Sequence, residues 1–315
     1  YENGSLNQEK NFLKGVEEGT QLSYYPQIDD QKQILSKELH FINGKLDGVQ
    51  KSYYPSGLTK AVMGYSEGVL NGKKILWDGD GEISEESSFC KGHLEGKYFV
   101  RNSSGKETVY HYKNGLLEGL HQIYYPTHQF FGKIKAYEAN YSEGKLDGEA
   151  VEYNEAGTKI ASAFYSKGQK EGITALYSPN GCLHITAEFK NNRQTGPAYE
   201  YSRTGKILKE AYFTDDLHNG PEKIYFDNGK LAALNSFKEG KFHGLCQTWN
   251  REGILTYEAE FEEGRRHGKC NKFDNFGNPI VLQKYCNDEV VEKQKFYQEE
   301  EEKLNNHVPM YTEER

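Results

Sequence analysis

Two His-x-x-Cys pairs are the residues of this chain whose types and spacing could bind a metal ion. His243-Gly244-Leu245-Cys246 and His267-Gly268-Lys269-Cys270 have the same spacing and lie 24 residues apart. Thiolate and imidazole are ligands that zinc prefers. If the two pairs occupy equivalent places in neighbouring β-hairpins, they lie two strands apart, about 9–10 Å at roughly 4.8 Å per strand. Zinc holds each ligand atom within about 2.3 Å, so we expect no metal site here and no cofactor.

The rest of the sequence offers no other catalytic constellation. The remaining histidines have no recurring acidic or nucleophilic partner, and the sequence contains no phosphate-binding loop, nucleophile elbow or metalloprotease motif. We therefore expect that the chain is not an enzyme.

The spacing of the two pairs belongs to a period that runs through most of the chain. Counted from a starting glycine, an aromatic residue follows at position five, a glycine at nine, a second aromatic at seventeen, and glycines at twenty and twenty-four. A fixed period of this size indicates a repeat array. The starting glycines are Gly19, Gly48, Gly72, Gly96, Gly119, Gly148, Gly172, Gly196, Gly220, Gly244 and Gly268.

Both aromatic positions recur in register. The second aromatic is Phe41, Tyr65, Phe89, Tyr112, Tyr141, Tyr165, Phe189, Phe213, Phe237, Phe261 or Tyr285. The first aromatic is Tyr24, Tyr53, Trp77, Tyr124, Tyr153, Tyr177, Tyr201, Tyr225, Trp249 or Phe273, and only the Gly96 repeat departs, with Arg101. The glycine at twenty is replaced by Asn192 and Asp216, and Glu292 stands where a twelfth starting glycine would fall.

The segment between the two aromatics has the chemistry of a β-hairpin. Turns such as Asn154-Glu155-Ala156-Gly157 and Ser178-Pro179-Asn180-Gly181 predict a type I turn closed by a left-handed glycine, with a bulge. That bulge shifts the parity, which predicts that Tyr177 shares a face with Leu183, Ile185, Ala187 and Phe189. The glycine-rich link from Ser166 to Gly172 predicts a second tight turn into the next hairpin.

These turns predict an all-β repeat array, an elongated and twisted antiparallel meander of about eleven hairpins. One face should carry the aromatics and the other should be polar. We assign residues 1–289 to the array, with insertions near 26–36 and 126–133, and residues 290–315 to a C-terminal capping helix and tail. Val290, Tyr297 and Leu304 recur every seven residues, which is typical of a helix with a thin apolar stripe.

The charge and cysteine content limit the class of protein. The chain has 39 Lys and Arg against 47 Asp and Glu, a net charge of −8. This balance argues against nucleic acid and anionic membranes and favours a basic protein partner, or simply a soluble surface. The odd, scattered set Cys90, Cys182, Cys246, Cys270 and Cys286 favours a reducing compartment. We expect a cytoplasmic protein, although Tyr1-Glu2-Asn3-Gly4 already matches part of a repeat, which leaves an upstream signal segment open.

The repeat resembles the MORN repeat. Tyr165, Gly168, Gly172 and Tyr177 give the pattern aromatic-x-x-Gly-x-x-x-Gly-x-x-x-x-aromatic, and the resemblance extends over about Phe12–Asp288. It is greatest to the bacterial variant of that repeat, which occurs in proteins described as antitoxin-like. The resemblance implies a binding platform without catalytic residues.

Two functions follow from these observations. The first is a non-catalytic protein-binding repeat protein, an antitoxin- or immunity-like inhibitor that wraps a partner protein. The second is a structural scaffold or a membrane-associated, cell-envelope platform, against which the acidic balance counts. The sequence does not indicate the oligomeric state. The candidate partner-binding residues are Tyr25, Tyr54, Trp77, Tyr125, Tyr153, Tyr177, Tyr201, Tyr225 and Trp249, because tyrosine and tryptophan are enriched in binding hot spots. Packing between neighbouring hairpins is the alternative role for these rings.

Overall fold

The structure, a computed structural model, describes residues 1–27, 32–127, 129–130 and 132–296. These residues form β-strands and turns, without a helix in the described ranges. The strands are β1 Gln8–Glu9, β2 Phe12–Leu13, β3 Val16–Glu17, β4 Gly19–Tyr24, β5 Leu35–Ile42, β6 Lys45–Leu46, β7 Gly48–Tyr53, β8 Thr59–Ser66, β9 Val69–Trp77, β10 Ile83–Cys90, β11 His93–Leu94, β12 Gly96–Arg101, β13 Glu107–Lys113, β14 Leu116–Leu117, β15 Gly119–Tyr124, β16 Lys135–Ser142, β17 Lys145–Tyr153, β18 Lys159–Ser166, β19 Gln169–Tyr177, β20 Leu183–Lys190, β21 Arg193–Tyr201, β22 Ile207–Thr214, β23 Leu217–His218, β24 Gly220–Tyr225, β25 Leu231–Lys238, β26 Lys241–Phe242, β27 Gly244–Trp249, β28 Leu255–Glu262, β29 Arg265–Phe273, β30 Pro279–Cys286 and β31 Glu289–Lys295.

The chain divides into two compact units. The first contains Tyr1–Lys170 and Pro179–Gly181, and the second contains Glu171–Ser178 and the chain from Cys182 onward. Within each unit, each hairpin pairs antiparallel with the next one in the chain, for example β7 with β8 and β8 with β9 in the first unit. In the second unit, β29 pairs antiparallel with β28 on one side and with β30 on the other. The predicted all-β meander of hairpins is confirmed in each unit.

The hairpin turns have the predicted geometry. In the turn after Tyr153, the Gly157 N–H donates to the Asn154 carbonyl at 2.8 Å, and the Asn154 N–H donates to the Thr158 carbonyl at 2.9 Å. Gly157 has φ 78°, which a glycine adopts without the steric cost that a Cβ would bring. This is a type I turn closed by a left-handed glycine.

The predicted face of the first aromatic is wrong. Tyr177 pairs with Leu183, but the next pair is Leu176 with Ile185, so the register shifts by one residue between them. This second bulge places Ile185 and the residues that alternate with it on the face of Leu176, and it places Tyr177 on the opposite face. The same shift occurs beside the other nine first aromatics.

Each face of the sheet therefore carries one aromatic column, and the prediction of one polar face is also wrong. We call the side that bears positions five and fourteen of each repeat the first-aromatic face. The side that bears positions two, fifteen and seventeen is the second-aromatic face. Positions are counted from the starting glycine and leave out the five-residue insertions of the Gly19 and Gly119 repeats. The Gly96 repeat is one residue shorter, so its residues after the turn are counted one higher, which makes Tyr110 position fifteen and Tyr112 position seventeen.

The links between hairpins are two-residue turns in which both residues are left-handed. Lys167 has φ 50° and Gly168 has φ 84°, and the Gly168 N–H donates to the Leu146 carbonyl of the preceding link at 2.7 Å. Where the glycine is missing, Asn192 and Asp216 take φ 69° and 70°, which asparagine and aspartate tolerate better than other side chains.

Acidic side chains stabilise these links. The residue before a starting glycine accepts the backbone N–H of the first residue in the next link. Asp47 accepts from Glu67, and Glu118 from Glu143, both at 2.9 Å, and Glu171 accepts from Asn191 at 3.0 Å. A part of the acidic content is therefore structural.

The largest group of buried side chains forms a narrow column on the second-aromatic face and is mostly small, while a few others, such as Val151 and Ala175, are buried on the first-aromatic face. Many residues of the column stand at position two or fifteen of their repeats: Gln21, Gln50, Ser87, His121, Ala139, Ala150, Ala163, Ala211, Glu222, Cys246, Ala259 and Cys270. The second aromatics pack beside this column. In the second unit, successive ring centroids along Phe213, His218, Phe237, Phe242 and Phe261 are 4.3, 4.7, 4.6 and 5.2 Å apart.

The predicted C-terminal helix is wrong over the described residues. Glu289–Lys295 is strand β31 and pairs with β30 from Cys286–Glu289 to Val281–Lys295. The free edge of β30 offers a hydrogen-bond partner for each backbone group, and Val290 and Val291 favour a strand, so pairing outweighs the weak helical stripe. Residues 297–304 of the predicted helix, and the tail, lie outside the described residues.

We predict that Gly181→Val destabilises the protein by about 1–2 kcal/mol or more, because the residue must keep a left-handed backbone. Gly181 has φ +85°, and an added Cβ would lie 2.9 Å from Cγ2 of Thr158. Gly79→Val is the matched control, since Gly79 lies in an equivalent turn with nothing within 4 Å of an added Cβ and no left-handed φ. Urea unfolding of both variants measures the difference. Equal stability of the Gly181 and Gly79 variants would contradict the turn assignment.

Candidate functional site

The first-aromatic face presents a row of partly buried rings in each unit. Six of the predicted binding residues lie in this row at position five: Trp77 and Tyr153 in the first unit, and Tyr177, Tyr201, Tyr225 and Trp249 in the second. The rings are neither fully exposed nor core residues, so each combines contact with the chain and an open surface.

Several tyrosine hydroxyls of the row bond to position fourteen of the preceding repeat, and Tyr201 does so with Thr186 Oγ1 at 3.4 Å. The Tyr153 hydroxyl donates to Glu138 Oε1 at 2.9 Å, and the Tyr53 hydroxyl donates to Glu38 Oε2 at 3.4 Å. Burial, together with the bond to Glu138, raises the pKa of Tyr153 to about 12. The phenol therefore remains a neutral donor, and the ring is held in one orientation.

Glutamates at position fourteen form a second row beside the rings. Glu138 receives hydrogen bonds from Lys135 at 2.5 Å and from Gln122 at 3.4 Å, besides that of Tyr153. Burial acts to raise the pKa of Glu138, but the bonds from Lys135 and Tyr153 outweigh burial and lower it. This row was not predicted, although the sequence contains its signal: position fourteen is Glu38, Glu86, Glu138, Glu210 or Glu258 in five of the eleven repeats.

The other three predicted residues, Tyr25, Tyr54 and Tyr125, stand one position later and bridge neighbouring hairpins. The Tyr25 hydroxyl donates to the Tyr53 carbonyl, that of Tyr54 to the Trp77 carbonyl, and that of Tyr125 to the Tyr153 carbonyl, each at 2.8 Å. These hydroxyls fix the backbone of the next first aromatic. Tyr25, Tyr54 and Tyr125 therefore support the row of first aromatics.

The second-aromatic face of the first unit holds a cluster of tyrosines around a buried histidine. His121 is 8% exposed and stacks on Tyr110 with ring centroids 4.4 Å apart. Tyr137 and Tyr141 approach it at 5.6 and 5.7 Å. Among the described residues, neither ring nitrogen has a hydrogen-bond partner, and burial lowers the pKa of His121.

Each His-x-x-Cys pair combines a buried cysteine with a histidine that is not buried. Cys246 and Cys270 are buried on the second-aromatic face, and Cys270 Sγ lies 3.4 Å from the Tyr257 hydroxyl. His267 Nε2 lies 3.8 Å from Glu262. Within the described ranges, no group of three or more His, Cys, Asp or Glu side chains is arranged to hold a metal ion.

The net charge of the chain is unevenly distributed along the sequence. Residues 297–315 contain six Asp and Glu against two Lys and Arg, and residues 1–296 contain 41 against 37. Half of the net negative charge thus lies outside the repeats, and the repeats themselves are close to balanced. In the part of the chain that the structure covers, no helix is long and apolar enough to span a membrane.

Comparison with known families identifies two repeats of the second unit. Residues 194–215 and 219–239 match the family described as MORN repeat variant. Each of these segments covers most of one repeat, and MORN repeats in general bind proteins or membranes. A search among curated proteins finds no significant relative.

We predict that Tyr54→Phe lowers the free energy of unfolding by about 0.5–1.5 kcal/mol, because the Trp77 carbonyl loses its hydrogen bond. Tyr124→Phe is the control, since its hydroxyl bonds within one strand, to Gln122 Oε1 at 3.0 Å. Urea unfolding compares the two variants. A smaller loss for Tyr54→Phe than for Tyr124→Phe would refute the bridging role.

A second prediction concerns pH. The pKa of His121 is lowered in the folded state, so the unfolded chain binds more protons once the pH falls through about 6.5. The contribution of the neutral ring is full above that pH and is lost as the pH falls. His121→Gln, which introduces the residue found buried at the equivalent places 21 and 50, should lose less stability between pH 8 and pH 5. Urea unfolding at both pH values tests this, and an identical pH dependence would contradict it.

Proposed function

We propose that this MORN-type repeat protein is a non-catalytic binder of another protein, and that the first-aromatic face is its binding surface. The observation that carries the proposal is the row of partly buried rings. Three of them, Tyr53, Tyr153 and Tyr201, bond through their hydroxyls to the preceding repeat. Ten of the eleven repeats carry such a ring at position five.

This arrangement suits binding because the rings are already ordered. A partner that docks on them loses little side-chain freedom of this chain, which is a main cost of association. Tyrosine and tryptophan combine a large apolar surface with a polar tip and are enriched in hot spots. The row supplies such residues at regular intervals.

The glutamates beside the rings specify the chemistry of the partner. Glu210 lies in the same row, with the Tyr212 hydroxyl at 2.8 Å and Lys223 Nζ at 3.4 Å. Such a row attracts the lysine or arginine side chains of a basic protein, which would share these carboxylates with the chain's own lysines and make cation–π contacts with the rings. Because the repeats carry little net charge, this attraction is local to the row.

The finer proposal is an antitoxin- or immunity-like inhibitor. It depends on the resemblance of the repeats to the bacterial MORN variant, and the ordered row is compatible with tight binding of one partner. Growth of cells that express the captured partner, with and without this chain, separates inhibition from simple scaffolding. Rescue of growth supports inhibition, and unchanged growth leaves a binding scaffold.

The binding surface is tested by capture and substitution. The tagged chain is used to capture its partner from the native organism, and mass spectrometry identifies the protein. Tyr201→Ala or Tyr225→Ala should then weaken binding by about 2 kcal/mol, roughly 30-fold, where a hot spot is removed.

Phe213→Ala is the matched control in the Gly196 hairpin, on the opposite face. It should cost up to about 3 kcal/mol of stability, less than a fully buried ring because the site is only partly buried, and should leave the affinity of the folded protein unchanged. If Phe213→Ala weakens binding and Tyr201→Ala does not, the binding surface is the second-aromatic face and this assignment fails.

A further inference from the structure

The Gly96 repeat is the place where the row of first aromatics is interrupted. It is one residue shorter than the regular repeats, and Arg101 pairs directly with Glu107 without the second bulge. Since Arg101 occupies position five, this repeat contributes no first-aromatic ring to the row.

Arg101 is directed toward the preceding hairpin turn. Its guanidinium donates to Glu82 Oε2 at 2.9 Å and lies 3.6 Å from Asp78 Oδ2. A hollow of about 360 Å³ remains beside it, with apolar walls of Ile83, Phe99 and Val109.

The other repeats show which group fits this place. The Tyr53 hydroxyl donates to Glu38, and the Tyr153 hydroxyl donates to Glu138, each a glutamate at position fourteen of the preceding repeat. The residue at position fourteen before the Gly96 repeat is Glu86, and it lines the hollow. The hollow therefore contains the carboxylate that accepts a phenol elsewhere, without the phenol.

We propose that this hollow binds a tyrosine side chain of the partner protein, with its ring against Phe99, Ile83 and Val109 and its hydroxyl donating to Glu86. The inference deepens the proposed function and rests on it for the source of the tyrosine. A partner ring would complete the row with the geometry that the chain's own tyrosines adopt.

The charged residues around the hollow favour a neutral ligand. Its lining contains three acidic residues, Glu82, Glu86 and Glu107, and three basic ones, Lys97, Arg101 and Lys133. Arg101 is paired with Glu82, and Lys133 Nζ lies 2.5 Å from Glu107. Glu86 Oε1 lies 3.6 Å from Lys73 Nζ, which is outside the lining. Because the lining holds as many acidic as basic residues, it has no net charge that would favour an anion or a cation, whereas a phenol needs only one acceptor.

The test uses 4-methylphenol, the tyrosine side chain alone, added to the full chain with labelled isoleucine and valine methyl groups. The methyl resonances of Ile83 and Val109 should shift in a saturable way, and that of Ile224 in the second unit should not. Glu86→Gln or replacement of the probe by 4-methylanisole, which has no hydroxyl, should weaken the response several-fold.

Two substitutions at one position separate filling of the hollow from loss of the arginine. Arg101→Tyr supplies the ring from the chain itself and should abolish the shifts, whereas Arg101→Ala leaves the hollow open and should keep them. Persistent shifts in Arg101→Tyr, or their loss in Arg101→Ala, would overturn the proposal, as would absent shifts in the unmodified protein.

The captured partner provides a second test. Arg101→Tyr should lower the affinity for this partner at least ten-fold, and an unchanged affinity would overturn the proposal that the partner supplies the tyrosine. Failure to capture any partner would count against the proposed function and would leave the phenol result standing.

Discussion

The two-residue link is the constraint on which each unit depends. Both of its residues must adopt a left-handed conformation, as Lys167 and Gly168 do, and this turn has the twist that matches antiparallel strands. The link fixes where each hairpin begins relative to the one before it. Hydrogen bonds between successive links, and carboxylates such as Asp47 on their N–H groups, keep this geometry along the unit. The sequence tolerates Asn or Asp in place of the glycine because these residues accept the same backbone conformation.

A single sheet has little interior, so its most buried side chains are mostly small. The most buried positions carry small residues such as Ala139 and Ala259, while the larger rings remain partly exposed. Stability then comes from rows of contacts between neighbouring hairpins, as expected for a repeat protein. In the first unit second aromatics pair with leucines, as Tyr65 does with Leu70. In the second unit two of them pair with rings, Phe213 with His218 and Phe237 with Phe242. Because most of the larger rings are only partly buried, both faces keep aromatic surface that a partner can contact.

The sequence predicted the hairpins and links because their positions restrict residue type. The second residue of each link favours glycine, asparagine or aspartate, and a regular row of neighbours favours an aromatic, so both leave a periodic signal. The second bulge leaves none, since the extra residue, His184 in the Gly172 repeat, has an ordinary backbone and no required type. The two aromatic columns were therefore assigned to one face instead of two. The strand at Glu289–Lys295 was missed for a related reason: its pairing with β30 depends on the free edge of the sheet and not on its own weak pattern. The bridging role of Tyr54 could not be predicted, because its partner is a backbone carbonyl of the next repeat.

The central claim is that the first-aromatic face contacts a protein partner. Hydroxyl-radical footprinting of the tyrosines and tryptophans, with and without the captured partner, tests it most directly because it reads the side chains themselves. The account predicts that Tyr201, Tyr225 and Trp249 lose reactivity in the complex, while Tyr98, Tyr110 and Tyr137 on the opposite face react as before. Protection of Tyr98, Tyr110 and Tyr137 with unchanged reactivity of the first-aromatic row would contradict it.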